Sequence, residues 1–151
     1  MLCVNCILVI NLIGDINILF FVIKPLLKRR FMSVKNIQKI IKDKEIDYVD
    51  LRFTDPRGKL QHVTMDAKVV DDDMLEEGIF FDGSSIAGWK AINESDMILK
   101  PDLSRPVVDP FTSHNTLNLF CDVLDAIKKD PYERDPRSTA KKAEAYLQNS
   151  G

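Results

Sequence analysis

The sequence predicts an α+β fold, a small mixed sheet of short strands with one or two packed helices and a further helix at the C-terminal end. Three observations carry that expectation. Residues 48–53 alternate, with Val49, Leu51 and Phe53 on one face and Tyr48, Asp50 and Arg52 on the other, which is the period of a half-buried strand. Asp55-Pro56-Arg57-Gly58 supplies turn chemistry, and Leu60 to Met65 returns as a second strand, so the pair makes a hairpin. Helical signals are confined to short stretches around this strand-rich middle.

Taken in order, residues 1–31 stand apart. Two apolar runs, Ile7-Leu8-Val9-Ile10 and Ile18-Leu19-Phe20-Phe21-Val22-Ile23, precede the basic cluster Lys28-Arg29-Arg30. A spanning helix needs about 20 mostly apolar residues, and this stretch reaches that length only by including Asn5, Asn11, Asp15 and Asn17. A secretory signal would carry its positive charge ahead of the apolar core, and none is there. The favoured expectation is that Met32 is the true start and the preceding residues are upstream translation; a membrane or targeting segment is the alternative. Ser33 can cap a helix bearing Ile37, Ile40 and Ile41 at i, i+3, i+4.

Beyond the hairpin, residues 69–77 suit a short helix ended by Gly78, with Asp71-Asp72-Asp73 as a solvated cap that lacks the Gly and Glu of a calcium loop. Met97-Ile98-Leu99, Pro106-Val107-Val108 and the run from Thr116 to Val123 supply further strands. Asp135-Pro136 opens the last helix, the aspartate as N-cap and the proline at the first helical position. Ala140, Ala143 and Leu147 recur along one face of it, and no sheet in the chain is evident for that face to cover.

Composition excludes several classes. The formal charge is −2 with 29% charged residues, and the basic residues near the N-terminus leave the remainder acidic, with no basic stripe interleaved with aromatics, so nucleic acid is not an expected partner. Three cysteines, Cys3, Cys6 and Cys121, form no disulfide framework and point to the cytosol. Cys3 and Cys6 make a C-x-x-C without the further ligands of a zinc site. His62 and His114 match no ligand spacing and are expected to be structural or exposed.

Chemistry concentrates in Phe81-Asp82-Gly83-Ser84-Ser85 and, eight residues later, Glu94-Ser95-Asp96 through Leu99. Gly83 permits positive φ, Gly88 keeps the loop pliable, and Asp82 with its serines can bond neighbouring amides. Taken alone, such a segment is most simply a self-stabilising Asx turn. The whole pattern, F-D-G-S-S then E-S-D-x-x-L, resembles the N-terminal signature of glutamine synthetases. The similarity takes in Val49-Asp50-Leu51-Arg52-Phe53-Thr54-Asp55, Gln61-His62-Val63-Thr64, Gly88-Trp89-Lys90, Asp109-Pro110-Phe111, Cys121-Asp122 and Arg134-Asp135-Pro136-Arg137-Ser138, running from Met32 to the C-terminal end.

That resemblance implies a β-grasp domain over residues 32–130 and the first part of a catalytic domain over 131–151. It implies that the loop bearing Asp82 and Ser85 reaches the active site of a neighbouring subunit. There Asp82 would concentrate ammonium and accept its proton, and Ser85 would add a hydroxyl. Gly83, Ser84, Trp89, Glu94 and Asp96 would support the loop, with Trp89 expected against the next subunit. Arg134 and Arg137 could pair with acidic groups or a phosphate, although at a helix N-terminus Arg137 is also a routine solvated residue, and neither is expected to be catalytic.

The complete family enzyme ligates ammonia to glutamate through a γ-glutamyl phosphate, with ATP and a divalent metal, Mg or Mn. The resemblance places those sites beyond Gly151, so this chain is expected to hold no cofactor and to be inactive alone. The expected partners are glutamine synthetase catalytic domains or subunits, in a homo-oligomer with ammonium at the subunit interface, and no membrane. The alternative is a non-enzymatic module that associates with full-length subunits.

Overall fold

A computed structural model of the chain describes residues 32–89 and 95–150. The reading of residues 1–31, including Cys3 and Cys6, lies outside the described residues, as do Lys90 and Glu94.

The described part opens with helix α1 (Val34–Asp43). The hairpin of β1 (Tyr48–Thr54) and β2 (Leu60–Asp66) follows. Then come a short helix α2 (Asp72–Glu77) and β3 (Ile79–Asp82). The chain continues through β4 (Asp96–Pro101), β5 (Val107–Val108) and β6 (Thr116–Asp125) to α3 (Pro136–Ser150). The six strands form one mixed sheet in the order β2-β1-β6-β4-β3, with β5 also paired to β6. Only β1 and β6 run parallel. The α+β expectation therefore holds, as do the hairpin and its turn, where Asp55 accepts from the amides of Arg57 and Lys59 and from Gln61.

Register explains the core. Val49 and Leu51 of β1 lie beside Leu117 and Leu119 of β6, and farther along β6 Val123 lies beside Leu99 of β4. All of these side chains are fully buried. Ile37 of α1 and Leu75 of α2 join the same cluster, which is why the i, i+3, i+4 isoleucines of α1 face the sheet. Burying each such side chain is worth about 2 kcal/mol. Cys121 is part of this core, and burial pushes its thiol up, so it stays protonated.

Three details differ from expectation. Ser33 occupies the N-cap of α1, but its side chain makes no capping bond; only its carbonyl accepts, from Asn36 and Ile37. Residues 79–82 are a strand, not loop, antiparallel to β4. Gly78 turns the chain from α2 into that strand at φ +88°, and a Cβ there would collide with the Leu99 carbonyl, so no other residue fits.

The last difference concerns α3, whose first turns are tied to the sheet at Asp122, although its Ala140, Ala143 and Leu147 face is exposed, as expected. Asp135 is fully buried and caps it, accepting from the Ser138 amide at 2.9 Å and hydroxyl at 2.7 Å. Of the two places open to Arg137 the structure takes pairing with acidic groups: its Nε donates to Asp122 at 2.8 Å and its guanidinium also pairs with Asp102. Lys141 adds a second cation to Asp122. The first two turns are thus fastened by ion pairs, whereas Tyr146 and Leu147 farther along are exposed.

Candidate functional site

Asp82 is the last residue of β3 and the N-cap of a 3-10 turn over Gly83–Ser85. Its Oδ1 accepts from the Ser84 hydroxyl at 2.7 Å and the Ser84 amide at 2.9 Å. These bonds, with one from the Ser95 side chain, hold the exposed carboxyl below the usual carboxylate range. It is therefore ionised at neutral pH, and among the described residues the donors that stabilise it are the neutral groups of Ser84 and Ser95.

Across the ladder, Asp82 is in register with Asp96, the first residue of β4. Two carboxylates thus leave the same end of the β3–β4 pair, an arrangement that costs energy unless a cation or solvent intervenes. Ser85 is exposed at the end of the turn. The Asx turn of the residue-level reading is present, and it leaves a charged group at the surface.

Gly83 is needed for space. Its φ is not positive, but the residue is buried, and a Cβ would collide with the Met97 side chain and come within 3.0 Å of the Ser95 carbonyl. Its amide donates to that carbonyl at 2.8 Å, which docks the turn on the start of β4. Gly88 does take positive φ, at +90°.

Trp89 is not left for another subunit to cover. It is 4% exposed within its own fold, with ring centroids 5.5 Å from Phe53, 6.0 Å from Phe81 and 5.7 Å from Tyr132. The expectation failed because it assumed that so small a domain could not house an indole; three aromatics from separate parts of the chain converge on it. Its carbonyl accepts from the Tyr132 hydroxyl at 3.0 Å and from Arg134 at 3.4 Å. Arg134 also donates to the Gly88 carbonyl at 3.0 Å. Neither residue carried a motif that would reveal this.

A second polar cluster lies on the opposite side of β1 from the core. Asp50, 4% exposed, accepts from Arg52 Nε at 2.7 Å and Thr64 at 2.7 Å, and His62 Nδ1 lies 2.9 Å away. Arg52 also reaches Asp109 at 3.0 Å, which accepts from Asn118 at 3.0 Å as well. His62 is accordingly a structural partner, and His114 is two-thirds exposed beside Tyr48. Among the described residues no three His, Cys, Asp or Glu side chains are grouped to hold a metal ion. Those residues do not fit the divalent metal that the resemblance implies for the complete enzyme, and the chemistry they offer is charge and hydrogen bonding. No helix among them is long and apolar enough to cross a membrane.

Comparison with known proteins gives a consistent result. Residues 45–126, more than half of the chain, match the family model of the glutamine synthetase β-grasp domain. The chain is 58% identical over 119 residues to the glutamine synthetase of Rhizobium meliloti (strain 1021), an alignment covering 79% of this chain and 25% of that protein. It is 60% identical over 119 residues to that of Azorhizobium caulinodans, with the same coverage. Among solved structures, Plasmodium falciparum glutamine synthetase superposes with a TM-score of 0.70 at 27% identity, over 80% of this chain and 23% of that one. The chain therefore spans about a quarter of the length of these relatives. Matched in sequence across the sheet and the Asp82 turn, and in fold to a solved enzyme, the chain belongs to the glutamine synthetase family through its β-grasp domain.

Proposed function

We propose that this chain acts as the β-grasp part of a glutamate–ammonia ligase, presenting Asp82 and Ser85 to a catalytic domain of a neighbouring subunit as one wall of an ammonium site. The observation that carries this reading is Asp82 itself. It is an exposed carboxylate whose donors among the described residues are neutral, so none of them uses up the negative charge that a cation would meet. Asp96 in register beside it deepens the negative potential.

Ammonium must be concentrated and then lose a proton before its nitrogen can attack an activated acyl group. The hydrogen bonds to Asp82 suit the first task better than the second, because a carboxyl held low is a strong cation partner and a weak base. Asp82 thus binds and orients ammonium and takes its proton only as attack develops. Ser85 supplies a neutral acceptor at the rim. In the complete enzyme ATP and a divalent metal would supply the activation of the glutamate carboxylate, and other parts of that enzyme would hold them.

The test joins this chain to the catalytic remainder of the Rhizobium meliloti relative. In that enzyme Asp82→Asn keeps size and most hydrogen bonding while removing charge. Ammonia-dependent turnover is expected to fall by about 100- to 10,000-fold, while ATP-dependent activation of glutamate survives. Turnover left intact, with a lowered melting temperature, would show that the Asx turn serves only its own loop.

A further inference from the structure

We propose that Tyr132 and Arg134 are positioning residues for the Asp82–Ser85 turn, clamping it through the Trp89 backbone to the segment that opens α3. The inference rests on the reading of Asp82 and Ser85 given above. It is carried by an unbroken series of bonds. The Ile86 amide donates to the Gly83 carbonyl at 3.1 Å, and the Trp89 amide donates to the Ile86 carbonyl at 3.2 Å. The Trp89 carbonyl then receives the Tyr132 hydroxyl and the Arg134 guanidinium, and the Gly88 carbonyl receives Arg134 again.

The receiving segment is itself anchored. The Tyr132 amide donates to Val123 of β6 at 2.9 Å, and the Asp135 amide donates to the Tyr132 carbonyl at 3.1 Å, directly before the buried cap of α3. At its other end the turn is docked on β4 through Gly83 and Ser95. Both ends of the segment from Asp82 to Trp89 are therefore tied to the sheet. The Arg134 bonds are charge-assisted, and each is stronger than a neutral bond of the same length. Positive φ at Gly88 turns two successive carbonyls, those of residues 88 and 89, toward one guanidinium.

An anchored turn loses little freedom when ammonium and a neighbouring domain engage it, and misplacing a binding group by about 1 Å can cost up to 100-fold. Nothing in this arrangement touches the reacting atoms, so its effect belongs to binding of one substrate. The pair would set how precisely Asp82 meets ammonium without altering how ATP or glutamate is handled.

Trp89 is the sole tryptophan of the chain, so its emission reports the clamp in this protein alone. In the double variant Tyr132→Phe, Arg134→Ala, acrylamide quenching of Trp89 is expected to rise at least twofold, and Arg134→Lys, which keeps one charged donor, is expected to fall between. In the enzyme completed with the Rhizobium catalytic domain, the double variant is expected to raise KM for ammonium about tenfold. KM for ATP and for glutamate should stay near those of the parent. Unchanged quenching, or equal losses on all three substrates, would overturn the proposal. If quenching rises but Asp82→Asn is itself silent in turnover, the clamp stands and the functional reading of the turn falls.

Discussion

Asp50 and Asp82 are both aspartates whose carboxyl groups are held below their ordinary range, and they are stabilised in opposite ways. At Asp50, burial works to raise the value and is outweighed by bonds from Thr64, Arg52 and His62. Its countercharge lies in the same chain, and Arg52 is in turn shared with Asp109. At Asp82 the donors are the Ser84 hydroxyl, the Ser84 amide and the Ser95 side chain, and the group is exposed. In the first cluster Asp50 meets a cation of its own chain. Among the described residues the second meets only neutral donors at the surface, which is what a site for an external cation requires.

The sharpest way to break this contrast is to remove each charge in turn and measure folding. Asp50→Asn leaves Arg52 with Asp109 as its partner and removes the charged acceptor of a partly buried network, a loss of about 1 to 3 kcal/mol. Urea unfolding of the chain should show that loss as a lower midpoint with an unchanged slope. Asp82→Asn, at an exposed position, should leave the midpoint almost unmoved. A large loss from the second substitution and none from the first would reverse the roles assigned here.

A smaller effect concerns acid. A carboxyl whose folded value lies below its unfolded value, near 3.9, contributes its full stability above that value. The contribution is lost as pH falls through the folded value. The stability gap between the parent chain and Asp50→Asn should therefore be constant from pH 7 to about pH 5 and narrow below about pH 4. A gap that stayed constant below pH 4 would show that the network does not depend on the ionised form of Asp50.

Much of this was legible in the sequence because it depends on local periodicity. The alternation in residues 48–53, the turn at Asp55 to Gly58 and the Asp135-Pro136 cap are signals within a few residues, and each element forms where they place it. The family match was legible through the F-D-G-S-S spacing. Strand β3 was missed because Ile79-Phe80-Phe81 is a short apolar run without alternation, and its strand state comes from pairing with β4. Burial of Trp89, pairing of Arg137 with Asp122 and the Arg134 clamp all join residues far apart in the chain. No pattern of neighbours encodes such contacts; they appear only once β6 has brought α3 against the sheet.

The smallest expected effect is the most discriminating for the turn. Ser85 is exposed, and among the described residues its hydroxyl takes no part in the bonds that fasten Asp82, which come from Ser84 and Ser95. Ser85→Ala deletes one acceptor and no charge, so neither the fold nor the ionisation of Asp82 should respond. In the completed enzyme it should cost on the order of 1 to 2 kcal/mol of transition-state stabilisation, about 5- to 30-fold in kcat/KM for ammonium. Ser84→Ala makes the opposite cut: it removes a donor to Asp82, relaxes the carboxyl upward and leaves Ser85 in place. If the turn is a cation site, the two variants separate. Ser85→Ala should weaken ammonium at every pH, and Ser84→Ala should shift the acid limb of ammonium-dependent turnover to higher pH. Identical profiles would mean that the two serines do no more than shape the loop.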